Sequence, residues 1–234
     1  MLNDFRFALR LLRKNPGFAI VAVLILGLGI GGNTAIFSIV NAALLRPLPY
    51  REPDRLYAFK TFEPKRGRES ILVAPSDFYA IAEQTRSFEN VGAMAAGFVT
   101  LRIGERVVRQ FDAQITPDFF RLLGVEPALG RGFTGDDSHS DTRLVVLGYD
   151  FWHSTLNADP SIIGKQIVVE GEPHTVIGVL GPSFRFPARI DIARPLHEDA
   201  DSRMIARALW YALARLKPGV SIGNNLLDSP FLRV

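Results

Sequence analysis

Residues 15–45 read NPGFAIVAVLILGLGIGGNTAIFSIVNAALL and carry no charged side chain, with Arg13-Lys14 before them and Arg46 after. From Phe18 to Leu45 the run is 28 residues. As a helix it is roughly 42 Å long, against about 30 Å of bilayer hydrocarbon. That length spans a bilayer with tilt, or with its last turns outside the lipid. Asn33, Thr34, Ser38 and Asn41 fall in its second half, where uncharged polar groups can bond locally or to a neighbouring helix. A transmembrane segment over 15–46 is the first expectation.

Two other readings fit parts of this stretch. A cleaved signal peptide would share the basic start, but its apolar region is shorter and ends in a small-x-small site not evident here. Gly27, Gly29 and Gly32 match the dinucleotide-binding G-x-G-x-x-G, with Phe18–Leu26 as the preceding strand and Asp54 as the acidic residue. Asp54, however, follows RPLPYREP, a turn-rich stretch and not a second strand. The same glycines also give G-x-x-x-G at Gly27/Gly31, which lets membrane helices approach closely.

Charge gives the span a direction. Residues 1–46 hold five basic and one acidic side chain, a net +4; residues 47–234 hold 22 basic and 23 acidic, a net −1. In residues 1–14, Leu2, Phe5, Leu9 and Leu12 recur at helical spacing among Arg6, Arg10, Arg13 and Lys14. This predicts a short interfacial helix on the lipid bilayer, ended by Pro16-Gly17. The grouped basic residues place the N-terminus in the cytoplasm and the remainder outside. The near-neutral remainder offers little to nucleic acid. Cysteine is absent, which excludes disulfides and thiolate metal sites.

Beyond Pro47, short strands and short helices alternate irregularly. Strands are expected at 56–60 and 71–74, a charged loop at 61–70, a helix from Pro75-Ser76-Asp77, and a helical turn at Ser87–Asn90. A hairpin is expected at Val99–Ile103 and Arg106–Ala113 around Gly104-Glu105. Thr116 and Pro117 are set to open a helix with Phe119, Phe120, Leu122 and Leu123 on its core face and Gly124 at its end. A polar loop at 131–141, a strand at 143–147 and a helix at 149–156 follow. Next come a hairpin over 166–179, an edge segment at Ile190–Ile192 and a last strand at 207–216. The expected class is α+β, a mixed domain of one or two lobes after an N-terminal transmembrane helix.

Tests for chemistry find little. His139, His153, His174 and His197 show no ligand spacing. His174 reads as an ordinary strand residue. Asp136, Asp137 and Asp141 lack the ladder of a calcium loop and read as a solvated loop. Arg185 and Arg189 sit near aromatic residues and read as solvated surface. There is no G-x-S-x-G and no phosphate-binding G-x-x-x-x-G-K-[ST]. No catalytic residue, metal site or cofactor is assigned, and a mechanical, scaffold or binding role is favoured over an enzyme.

The segment DFRFALRLLRKNPGFAIVAVLILGLGIGGNTAIFSIVNAALLRPLPYREPDRL resembles the start of MacB/FtsX-like ABC transporter permeases, more narrowly the large duplicated permeases of acidobacteria. ITPDFFRLLGVEPALGRGFTGDD, VVLGYDFW, GKQIVVEGEPHTVIGVLGPSFRFP and LARLKPGVS resemble the MacB-type periplasmic core domain. The resemblance covers about residues 1–222. It implies a single-pass arrangement in a bacterial inner membrane and a periplasmic core over 47–222 with porter-like and sabre-like lobes. Motion would be driven by a partner ABC ATPase, with other permease helices or a second permease half and possible contact with a periplasmic partner. Efflux or export follows from that analogy; a tethered binding or scaffold module, or a membrane-anchored enzyme, are the alternatives. Asn33/Thr34 and Arg46-Pro47-Leu48-Pro49 match recurrent structural positions. The 223–234 tail, IGNNLLDSPFLRV from Ile222, departs from the family pattern and is expected to mark a truncated, split or frameshifted permease.

Overall fold

The structure, a computed structural model, describes residues 14–40, 50–63, 67–84, 86–138, 143–186, 189–196, 210–220 and 232–233. The chain divides into two compact units, Met1–Leu48 and Pro49–Val234. The interfacial segment before Lys14, the Arg46–Pro49 motif and nearly all of the tail lie outside the described residues.

In the first unit, helix α1 runs Pro16–Val40 without a charged side chain. Pro16 occupies the first turn, where its missing N–H costs nothing. Mean hydropathy over Pro16–Ser38 is 2.1, and none of that window is buried against protein. At 25 residues the helix is about 37 Å long, enough to cross a bilayer. Its apolar side chains are exposed all round, Leu28 reaching 83%, which is what lipid and not a protein core asks of a helix. Thr34 bonds its hydroxyl to the Ile30 carbonyl at 2.8 Å, so this polar group is satisfied within the helix. Phe18–Leu26 is helical, which removes the strand that the dinucleotide-binding reading requires.

The second unit opens with a 3-10 turn at Pro53–Arg55, followed by β1 (Leu56–Ala58), β2 (Lys60–Glu63) and β3 (Arg68–Ser70). The expected strand 56–60 is therefore broken at Phe59, a fully buried side chain. The expected loop 61–70 instead contains the β2–β3 pairing. Helix α2 (Pro75–Gln84) starts where expected, whereas 71–74 contributes only an isolated bridge, Val73 to Trp210.

Next comes β4 (Phe88–Ile103), then β5 (Arg106–Ile115), α3 (Phe119–Leu123), β6 (Leu129–Gly130) and α4 (Gly135–Ser138). The remaining elements are β7 (Leu144–Leu147), α5 (Tyr149–Thr155), β8 (Gln166–Val169), β9 (Glu172–Val179), β10 (Ile192–Pro195), β11 (Tyr211–Leu216) and β12 (Leu232–Arg233). Of the helical turn expected at 87–90, residues 88–90 are strand. Leu216 pairs with Phe88 and Arg215 with Asn90, so this end of β4 is a bulged continuation of a long strand.

Six strands close a ring. β4 pairs β5, β5 pairs β10, β10 pairs β7, β7 pairs β9, β9 pairs β8, and β8 returns to β4. Closure removes free edges from these strands. The expected edge segment at 190–192 leads into β10, which is interior, parallel to β5 and antiparallel to β7. Leu101, Val145, Leu147, Ile167, Val169, Val176 and Ile192 pack together as the ring's core. The early half of β4 instead joins β11 and β1. One cluster there holds Phe59, Phe78, Ile81, Phe88 and Trp210; another holds Met94, Ile115 and the four apolar residues of α3. Gly92 lets α3 press onto β4, since a Cβ there would lie 3.2–3.3 Å from Leu122 and Phe119.

Candidate functional site

The described chain resumes at Tyr50, and the six residues Tyr50–Arg55 are bound into the domain at several depths. Tyr50 is buried, its ring meets Phe186 edge-on at 6.4 Å, and its hydroxyl donates to the Arg185 carbonyl at 3.0 Å. Burial pushes its phenol above the ordinary value.

Arg51 reaches the end of α3. That helix closes on Gly124, which is left-handed at φ 68°; Gly124 N–H donates to Arg121 O and Val125 N–H to Phe120 O. Two further end carbonyls remain. Leu123 O accepts the Arg51 backbone N–H at 3.1 Å. Leu122 O accepts Arg215 Nη2 at 2.5 Å. A side chain on Gly124 would place its Cβ 2.5 Å from that of Arg51, so the helix end and the entering chain are fitted to each other.

Arg215 is the deepest member, 1% exposed on strand β11. Besides Leu122 O it donates to Glu52 O at 3.0 Å, and it stands 3.6 Å from the Glu52 carboxylate. Desolvation lowers its pKa, with the Glu52 charge opposing; a guanidinium stays protonated regardless. Glu52 adopts φ 43°, a left-handed conformation that costs a non-glycine residue about 1–3 kcal/mol. Arg55 holds it there, with Nη1 2.6 Å from Glu52 Oε2. Arg55 also donates Nε to Leu216 O at 2.9 Å, and Nη2 to Glu89 Oε2 at 2.7 Å and to Leu216 O. Three arginines and two glutamates thus tie the entering chain to α3, β4 and β11.

The sequence carries one trace of this site, the single charge within the apolar strand YALARL. Thr116 was expected to cap α3. Its hydroxyl instead accepts the Ala93 N–H at 3.0 Å, tying β4 to the loop, and Asp118 stands at the cap position with its carboxylate paired to Arg121 at 2.8 Å and not bonded to a helix N–H.

A second buried charge lies within the ring. Arg194 on β10 binds Asp112 on β5 through Nε–Oδ1 at 3.1 Å and Nη2–Oδ2 at 2.6 Å. His174, also buried, donates its Nδ1–H to the Glu172 carbonyl at 3.0 Å. Burial lowers its pKa; the Arg194 and Arg143 charges add to that, while the Glu172 carbonyl and the Asp112 charge oppose it. His153 is exposed and stacks on Tyr149 at 5.6 Å; His139, Asp141 and His197 lie outside the described residues. Asp137 departs from the solvated-loop expectation. It is 7% exposed, paired to Arg131 at 2.7 Å and bonded to the Thr134 N–H at 2.7 Å. Burial works to raise its pKa, but these bonds outweigh it and hold it below the ordinary value. Arg185 and Arg189 both approach Asp150, at 3.6 and 3.1 Å.

Among the described residues, no group of three or more His, Cys, Asp or Glu is placed to hold a metal ion. A cleft of about 250 Å³ lies between α2, Val91 and the Thr116–Asp118 turn, but Thr116 is already engaged and no acid–base pair converges on it.

The model of the MacB-like periplasmic core domain matches residues 19–224. The chain belongs to this family. The macrolide export ATP-binding/permease protein MacB of Chromobacterium violaceum is 38% identical over 68 residues, 29% of this chain and 10% of that protein. The pyoverdine export ATP-binding/permease protein PvdT of Pseudomonas aeruginosa is 27% identical over 179 residues, 76% of this chain and 25% of that protein. The chain therefore spans about a quarter or less of these relatives. In fold, the periplasmic region of MacB from Actinobacillus actinomycetemcomitans superposes with TM-score 0.55 at 18% identity, over 71% of this chain and 77% of that one. The extracellular domain of the transporter YknZ from Gram-positive bacteria gives 0.55 at 16%, over 70% and 84%. The α+β core of this MacB-like chain is thus the family fold, preceded by a helix with the length and apolarity of a membrane span.

Proposed function

We propose that this chain is the first membrane helix and outer domain of a MacB-type export permease. Helix α1 carries motion from a partner ATPase to the domain, and the Tyr50–Arg55 segment is where that motion enters. The N-terminus lies in the cytoplasm, 15–46 spans the inner membrane, and 47–222 forms the periplasmic core with its porter-like and sabre-like lobes. Other permease helices, or a second permease half, complete the assembly. The motif order of residues 4–56 supports a place among the duplicated permeases of acidobacteria.

The arginine–glutamate clamp on residues 50–55 carries this reading. A segment that merely tethers a domain needs no buried arginine and no helix end fitted to its backbone. Force applied at Tyr50 reaches α3, β4 and β11 together through short, charge-assisted bonds. Two experiments test the reading. In inside-out inner-membrane vesicles, residues 50–234 should resist added protease; digestion would refute the topology. Pulled by its N-terminal segment in single-molecule force spectroscopy, Arg215→Met should release residues 50–55 at lower force than the native chain. Equal release forces would refute the clamp.

A further inference from the structure

The outer face of the β4–β5 hairpin combines exposed apolar surface with unpaired positive charge. Leu101 and Val108 are direct partners and pack toward the ring core. By strand alternation, Phe98, Thr100 and Arg102 of β4 share the opposite face with Val107, Arg109 and Phe111 of β5. Phe98 and Val107 are each 61% exposed. Phe98 is nonetheless held: it meets Phe111 edge-on at 5.4 Å, and the Arg109 guanidinium lies 4.6 Å from its ring centre.

Arg102 and Arg109 have no carboxylate within 4.0 Å among the described residues. Arg121, Arg131, Arg143 and Arg189 all have one. Glu170, beside the hairpin, has its carboxylate engaged by the Thr100 N–H. The backbone beneath is fixed on both sides. β8 pairs Leu101 and Arg102, and Asp191 accepts the Phe111 N–H at 2.8 Å while donating its own N–H to Phe111 O at 3.0 Å. Little ordering cost remains for an incoming partner.

We propose that this face docks an acidic segment of a partner protein. An apolar side chain seats against Phe98 and Val107, and carboxylates pair with Arg102 and Arg109. Aromatic residues and arginine are the types that interface centres favour. The layout fits a protein better than a lipid leaflet. Phe98 lies six residues from the Gly104 turn, about 20 Å along the strand, too far for a leaflet met at the turn. At that turn Glu105 offsets Arg106, so no net positive charge meets an anionic surface. The proposal does not depend on the clamp.

The test uses the full chain in zwitterionic nanodiscs and a fluorescent amphipathic helical peptide bearing Glu and Leu, with a counterpart carrying Lys for every Glu. The acidic peptide should bind saturably. Paired Arg102→Glu and Arg109→Glu should weaken it by about tenfold or more and shift preference to the Lys peptide. Phe98→Ser, at an exposed position, should weaken it with the melting temperature unchanged. Absence of saturable binding, equal binding of both peptides, or indifference to these substitutions would overturn the proposal. So would loss seen only with phosphatidylglycerol vesicles, which would make the face a lipid surface.

Discussion

Arg194, half-buried, and Arg215, buried, are arginines on strands of one sheet, yet they are satisfied in opposite ways. Arg194 gives its charge to a single carboxylate, Asp112, itself 3% exposed, in a bidentate pair. Arg215 donates instead to backbone carbonyls of two other segments, and its nearest carboxylate, Glu52, has a side chain 46% exposed. The first arrangement is neutral and local, so an apolar pair of similar volume could replace it. The second closes a helix end and fixes an incoming chain, and no apolar side chain reproduces it.

The largest expected effect breaks the neutral pair from one side. Asp112→Ala removes the buried carboxylate and leaves the half-buried Arg194 guanidinium without its partner, which should cost about 3–5 kcal/mol in denaturant titration of the full chain. Asp112→Leu combined with Arg194→Met should recover most of that loss; if the double variant is as unstable as the single one, Arg194 is not self-contained. Arg215→Met comes next. It strips Leu122 O and Glu52 O of a donor and should cost about 2–4 kcal/mol. Here a second change, Glu52→Gln, should restore nothing, because the lost partners are carbonyls. Recovery would make the two arginines equivalent after all.

Gly124→Ala tests the fit at the same helix end. Positive φ and the 2.5 Å approach to Arg51 Cβ predict a loss of about 1–3 kcal/mol. Amide exchange at Arg51 should quicken in parallel, while exchange in β5 and β10 should not. The smallest effect belongs to the ring side. His174 has a pKa lowered below 6.5 in the folded state, so the unfolded chain takes up the proton first as pH falls. The stability it confers is complete above 6.5 and declines as pH drops through that value toward the lower folded one. His174→Gln should flatten the melting-temperature curve in this window; an unchanged slope would place the titration elsewhere.

Local pattern carried much of the fold. The charge-free run marked α1, the glycine turns marked both hairpins, and Gly124 marked the end of α3, since each depends on neighbours in sequence. Phe88–Asn90 departs from its local helical pattern because its strand state comes from β11, over 120 residues later. Ile190–Ile192 looked like an edge because its short apolar run says nothing of the two strands that flank it. The clamp was hidden for the same reason. Glu52, Leu122 and Arg215 meet only in three dimensions, and a lone arginine in YALARL is silent about its partners.

The closed ring also sets a timetable for the chain's birth. β5 finds its partner β10 only 80 positions later, Ile192 opposite Asp112. At a synthesis rate of about 5–20 residues per second, the β4–β5 hairpin waits roughly 4–16 s for the strand beside it. Meanwhile Asp112 has no guanidinium and the inward side chains of the hairpin have no wall. A nascent chain in that interval is open to wrong pairing along the β5 edge. Cells that slow its synthesis, or lack a holding chaperone where it folds, should lose this protein to proteolysis before completion of the ring.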